Sequence, residues 1–173
     1  DRIWVNDGTG RFRPIAANAI RNTSLFSMGV DFADVNRDGW DDIFTADMLS
    51  PDLTRRHNQI GNVRELYRTV GLAEDRPQYS RNSLFLNRGD GTFAEIGAFA
   101  GVSATEWTWG AAFLDVDLDG YEDLLISNGH VLDAMDGDVT RALAAEQANG
   151  KLSRMEILKL RRRYAPQIGR AHV

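Results

Sequence analysis

The chain has 173 residues, enough for one ordinary domain, and carries 20 basic and 25 acidic side chains for a net charge of −5. It contains no cysteine, which excludes disulfides and thiolate chemistry while leaving the compartment open. No stretch approaches the length of an apolar spanning helix, and acidity concentrated in two short loops argues for cation binding and against a nucleic-acid surface.

The opening residues Asp1-Arg2-Ile3-Trp4-Val5 read as the middle of a strand, so the chain is expected to be an excerpt from a longer protein. Ile3 to Phe12 reads as a β-hairpin, because apolar runs flank the Gly-rich turn Asp7-Gly8-Thr9-Gly10 and glycine supplies positive φ at little cost. Val30-Asp31-Phe32-Ala33 and Ile43-Phe44-Thr45-Ala46 are short and bounded by turn residues, so they read as strands around an Asp-rich loop. Residues 49–81 are polar and hold Pro51 and Pro77. There Asn62 with Glu65 makes a capping box for a short helix through Val70, stopped by Gly71, in what is expected to be an insertion on the β-scaffold. Leu84 to Ile96 forms a second plain hairpin. Ala111-Ala112-Phe113-Leu114 and Leu124-Leu125-Ile126-Ser127 then flank a second Asp-rich loop. Beyond His130 the pattern turns helical: Ser153-Arg154-Met155-Glu156 is a capping box, and Met155, Leu158 and Arg162 fall at helical spacing before Pro166. Asp133, Asp136 and Asp138 form a looser acidic group that either caps a helix or adds ligands. The expected units are 1–48 and 82–132 as repeats, 49–81 as a partly helical insertion, 133–167 as a helical connector and 168–173 as a non-native tail.

The two Asp-rich loops are copies. Asp34-Val35-Asn36-Arg37-Asp38-Gly39-Trp40-Asp41-Asp42 and Asp115-Val116-Asp117-Leu118-Asp119-Gly120-Tyr121-Glu122-Asp123 share the pattern D-x-[DN]-x-[DN]-G-x-x-D at an offset of 81 residues. Asn6/Asn87, Gly8/Gly89, Gly10/Gly91, Phe12/Phe93, Ile15/Ile96, Gly29/Gly110 and Phe32/Phe113 keep the same offset without a gap. A fixed period means stacked supersecondary units. Oxygen side chains at alternate positions around a tight glycine turn converge on one hard cation, the geometry Ca²⁺ favours. An EF-hand would need Glu at the twelfth position and flanking helices. Thr45 and Ile126 stand there instead, between strands. The ligand set by spacing is Asp34, Asn36, Asp38 and Asp42 with the Trp40 carbonyl in the first loop. In the second it is Asp115, Asp117, Asp119 and Asp123 with the Tyr121 carbonyl, and Gly39 and Gly120 permit the bends.

These residues resemble FG-GAP/VCBS repeats, the β-propeller repeats of integrin α-subunits and many bacterial surface proteins. Asn87-Arg88-Gly89-Asp90-Gly91-Thr92-Phe93, and Trp109-Gly110 through Asn128-Gly129-His130, are similar more narrowly to bacterial relatives of cartilage acidic protein, the ASPIC/UnbV type. The resemblance implies an all-β fold, a partial β-propeller with helical insertions, built of four-stranded blades that each join a Ca²⁺ hairpin to a plain hairpin. One whole blade is then expected from the hairpins around 30–46 and 83–96. It further implies structural Ca²⁺ at the positions just named, an extracytoplasmic location, and a surface or secreted scaffold binding a protein or carbohydrate ligand. The rival class is the scaffold portion of a propeller lyase or hydrolase with its catalytic residues elsewhere.

Other features have plainer explanations. Arg88-Gly89-Asp90 spells an adhesion tripeptide but fills a hairpin turn, and Asn22-Thr23-Ser24 is a glycosylation sequon by letter. His57, His130 and His172 are far apart and read as surface or turn residues. Lys159 and Arg161-Arg162-Arg163 read as a solvated helix face. Trp107 and Trp109 share one side of a strand, as packing aromatics or a carbohydrate platform. No G-x-S-x-G, Walker loop or H-E-x-x-H motif occurs, so no catalytic residue is expected.

Overall fold

The computed structural model describes residues 2–59, 76–130, 136–150 and 153–164. In chain order these form β1 (Trp4–Asn6), β2 (Phe12–Pro14), β3 (Thr23–Ser24), β4 (Gly29–Ala33), β5 (Asp42–Ala46) and β6 (Met48–Leu49). Helix α1 (Leu53–Asn58), β7 (Gln78–Tyr79), β8 (Ser83–Asn87), β9 (Phe93–Glu95), β10 (Glu106–Leu114), β11 (Asp123–Asn128), α2 (Gly137–Asn149) and α3 (Arg154–Tyr164) follow. The result is an all-β, propeller-like arrangement with helical insertions.

At its centre is one antiparallel sheet ordered β4-β5-β8-β9, which joins the hairpin around the first Asp-rich loop to the plain hairpin after it. Alternation along its strands gives the sheet two apolar faces. Ile43, Phe85 and Ile20 pack on one face with Ile3 and Phe93. Phe44, Ala46 and Leu84 pack on the other, against Phe113, Leu124 and Ile126 from β10 and β11. Every residue of β5 is buried. The β1–β2 hairpin therefore lies towards one face and β10–β11 against the other. Phe44 is fully buried and meets Phe113 edge-on, ring centroids 6.2 Å apart, a geometry worth about 0.5–1.5 kcal/mol beyond area burial.

The repeat is preserved in the hydrogen-bond register. β1–β2 pairs Trp4 with Pro14 and Asn6 with Phe12. β8–β9 pairs Phe85 with Glu95 and Asn87 with Phe93, the same partners 81 residues on. β4–β5 and β10–β11 match in the same way, from Val30↔Thr45 and Ala111↔Ile126 to Ala33↔Asp42 and Leu114↔Asp123. Neighbouring units meet at repeat-related glycines. A Cβ on Gly29 would lie 3.0 Å from the Gly110 Cα and 3.4 Å from the Trp109 carbonyl oxygen. Beside them the Phe113 N–H donates to the Asp31 carboxylate at 2.6 Å.

The described ends of the segment 49–81 contact the scaffold at several points. Met48 and Leu49 are buried and extend β10 at Trp107 and Glu106. Buried Ser50 donates its hydroxyl to Glu106 at 2.8 Å, and Glu106 pairs with Arg55 of α1 at 2.9 Å. Glu106 itself takes φ 67°, a left-handed conformation uncommon for a non-glycine residue. Helix α1 was not foreseen. Asp52 caps it by accepting from the Arg55 N–H at 2.8 Å. The helix expected over Asn62 to Val70 and the tail at 168–173 lie outside the described residues. The expected capping box is formed: Ser153 N–H donates to Glu156 at 2.8 Å, and Glu156 N–H to the Ser153 hydroxyl at 3.3 Å. Val139 and Leu143 of α2 pack with Leu160 of α3.

The glycine contact is directional. Gly29→Val should cost about 1–3 kcal/mol through overpacking against backbone. Gly110→Ala, whose new Cβ would meet only the Ser127 hydroxyl at 3.5 Å, should cost well under that in denaturant melts of the two variants.

Candidate metal centre

Each Asp-rich loop connects the strands of a tight hairpin, and the two adopt one backbone. Arg37 and Leu118, at the fourth position, take φ of 58° and 62°. Gly39 and Gly120, at the sixth, take φ of 89° and 88°. The fold of the loop is written by its own carboxylates. Asp34 accepts from the Asp38 and Gly39 N–H groups at 2.9 and 2.8 Å, and Asp38 accepts from Trp40 N–H at 2.9 Å. The second loop repeats this: Asp115 accepts from Asp119 and Gly120 at 3.0 and 2.8 Å, and Asp119 from Tyr121 at 2.8 Å. The last Asp closes each loop, Asp42 accepting from Val35 N–H and Asp123 from Val116 N–H, both at 3.1 Å.

The donor chemistry fits a hard cation. Carboxylate oxygens of Asp115, Asp117 and Asp123 lie within 4.8 Å of one another. An ionised carboxylate has about four acceptor sites. Asp117, Asp119 and Asp123 each spend one oxygen on the N–H groups named, or on that of Asp119 in the case of Asp117. Oxygen capacity is left over in all of them. Trp40 and Tyr121 project outward, 52% and 59% exposed.

The first loop differs in two ways. Asn36 donates its amide to Asp38 at 2.9 Å, neutralising part of the ring of oxygens. Asp42 is wholly buried, and its second oxygen accepts the Asn87 N–H of β8 at 2.7 Å. Burial pushes the Asp42 carboxyl above its ordinary value. The Asn87 and Val35 N–H groups pull it down, and the charges of Asp38 and Asp34 push it further up. Its ionised form thus carries a cost that a neighbouring cation would offset. Asp123, its counterpart, is exposed.

The loops are also in contact with each other. The Arg37 guanidinium lies 4.3 Å from the centroid of the Tyr121 ring, a cation–π distance. Neither this nor the role of Asn87 follows from the loop pattern alone. The recurrence of Asn6/Asn87 at the repeat offset was the available signal for Asn87.

Arg88-Gly89-Asp90 is a turn, with Asp90 accepting from the Thr92 N–H and hydroxyl at 2.9 and 2.6 Å, bonds that hold its carboxyl below the ordinary value. A Cβ on Gly89 would fall 2.9 Å from the Trp40 indole nitrogen, so the turn is fitted to the first Asp-rich loop. Asn22 of the sequon is buried. Asp136 caps α2, accepting from Asp138 and Val139 at 2.8 and 3.2 Å, while Asp133 lies outside the described residues. His130 is not an isolated turn residue: its ring stacks on Trp107 at 4.5 Å, and Trp109 completes the group at 6.2 Å from Trp107. Lys159 and Arg162 are exposed on α3.

The sequence matches the FG-GAP-like repeat family over residues 1–45 and 70–126, more than half of the chain. No curated protein and no solved structure matches it.

The two loops should rank in cation affinity. Four carboxylates in the second face three and an amide in the first. One more unit charge about 4 Å from a divalent ion contributes about 2 kcal/mol even at the dielectric of water, part of it offset by repulsion among the carboxylates. Calcium titration calorimetry of Asp38→Ala, which keeps the second loop, should give a site about tenfold tighter than Asp119→Ala, which keeps the first. The reverse order would refute the ranking.

Proposed function

Because this chain belongs to the FG-GAP-like repeat family, we propose that it is a calcium-stabilised β-propeller repeat module of an extracytoplasmic binding scaffold, with Ca²⁺ in a structural role. The observation that carries the reading is the identity of the two loops, in backbone conformation and in carboxylate hydrogen bonding, at equivalent places in successive units. Carboxylate oxygens of Asp115, Asp117 and Asp123 lie within 4.8 Å of one another, a donor set suited to a hard cation. Their mutual repulsion opposes the fold until a cation is bound, so binding couples to folding. Affinities of about 10⁻⁴–10⁻³ M suffice where Ca²⁺ is abundant, as outside the cytoplasm.

In this reading Asp34, Asn36, Asp38 and Asp42, and Asp115, Asp117, Asp119 and Asp123, hold the ions with the Trp40 and Tyr121 carbonyls. The module's work is to present surface, and its partner is a protein or carbohydrate. The narrower likeness to ASPIC/UnbV-type proteins belongs to the same proposal, resting on the stretches from Asn87 to Phe93 and from Trp109 to His130.

Thermal melting with and without chelator tests the metal. A hundredfold excess of Ca²⁺ over Kd should stabilise the folded chain by about 2.7 kcal/mol per site. Asp119→Ala should abolish the second site's share. Asp90→Ala, whose carboxylate accepts from Thr92 outside the Asp-rich loops, should leave the calcium-dependent shift intact. A wild-type melt indifferent to Ca²⁺ would sink the proposal.

A further inference from the structure

The second Asp-rich loop contains five carboxylates, Asp115, Asp117, Asp119, Glu122 and Asp123, and no basic residue. A cation reaches it from the preceding unit. The Arg37 guanidinium lies 4.3 Å from the centroid of the Tyr121 ring, and its Nη2 is 3.6 Å from where a Cβ on Gly120 would stand. Gly120 and Tyr121 form the turn whose N–H groups donate to Asp115 and Asp119. The positive charge therefore rests on the backbone that gathers those carboxylates.

The first loop does not account for this placement. Leu118 holds the same fourth position in the second loop at nearly the same φ, 62° against 58°, so the loop backbone forms without a charge there. Among the described residues Arg37 forms no ion pair, with its own loop or with any other. The face of the Tyr121 ring attracts the flat guanidinium and fixes its position.

We propose that Arg37 is a tethered counter-ion for the second loop. Held on Tyr121, it offsets part of the repulsion among that loop's carboxylates and opposes the binding of a divalent cation there. A fixed charge acts on both within a Debye length, about 8 Å at physiological ionic strength. Arg37 narrows the margin by which the second loop's carboxylates favour it over the first. The calcium threshold of one unit thereby depends on a side chain of the unit before it. The effect on calcium rests on the reading of the loop as a calcium site, whereas the effect on the metal-free fold does not.

Two substitutions separate charge from side-chain length. Arg37→Met keeps a long side chain at the same backbone position and removes the charge, while Arg37→Lys keeps the charge. In calcium chloride titrations of the whole chain, the Gly39 and Gly120 amide resonances read the two loops separately. At about 0.01 M ionic strength, where the Debye length is about 30 Å, Arg37→Met should tighten the second site about threefold. Arg37→Lys should leave it near the wild-type value. The gain should vanish at about 1 M salt. It should also shrink in a Tyr121→Leu background, which keeps the backbone carbonyl and removes the ring that holds the guanidinium. In chelator at low salt, Arg37→Met should show a lower urea midpoint than Arg37→Lys, the two converging at high salt. Equal second-site affinity in wild type and Arg37→Met, or a gain undiminished by Tyr121→Leu, would overturn the proposal. Glycine resonances that ignore calcium would overturn the proposed function. Arg37 is then judged by the urea midpoints alone, and equal midpoints at low salt overturn its role too.

Discussion

Asp42 stands where the three parts of the central sheet meet. Its carboxylate closes the first Asp-rich loop through Val35, reaches across to the Asn87 N–H on β8, and lies fully buried while doing so. The side chain of Asn87 donates in turn to the Asp41 carbonyl and accepts from Gly89, so the loop and the following hairpin turn are joined through one residue. A buried carboxylate is costly unless it is bonded or neutralised. Here two backbone donors meet part of that cost, and loop carboxylates beside it add to it. The strand order β4-β5-β8-β9 and the charge state of the loop are thus aspects of one arrangement. Any cation held by the loop would act on the pairing of β5 with β8 as well as on the loop itself.

The parts of this architecture that were legible in the sequence are those written in local chemistry. Gly39 and Gly120 mark bends that need positive φ, and both adopt it. The runs around each loop are short and bounded by turn residues, and they are strands. The 81-residue offset announced that whatever one hairpin did, its copy would do. The features that escaped are those in which distant segments cooperate. Met48 and Leu49 become a strand only because the start of β10 is there to receive them. Thr23 and Ser24 pair in parallel with Gln78 and Tyr79, more than fifty residues away in the chain, and no local pattern encodes such a match. His130 looked solitary because its partners, Trp107 and Trp109, come from the neighbouring strand.

The candidate site divides along the same line. The alternating oxygens and the glycine bend follow from spacing, and the loops adopt them. The asymmetry between the loops does not. It arises from packing, since Asp42 is enclosed by the strand that follows in its sheet and Asp123 is not. Arg37, an unremarkable letter in a variable position of the pattern, lies over Tyr121 of the other loop because consecutive units stack with their loops side by side.

The conservation of register between β1–β2 and β8–β9, and between β4–β5 and β10–β11, also bears on how such chains change over generations. Unequal recombination between the two coding copies would add or remove 81 residues at a stroke. Because each hairpin keeps its internal register in both copies, the joint would fall between compatible partners wherever within a shared hairpin it occurred. Length could therefore vary by whole units without passing through a misfolded intermediate gene product. A connecting segment such as residues 49–81 would be carried along or left behind intact.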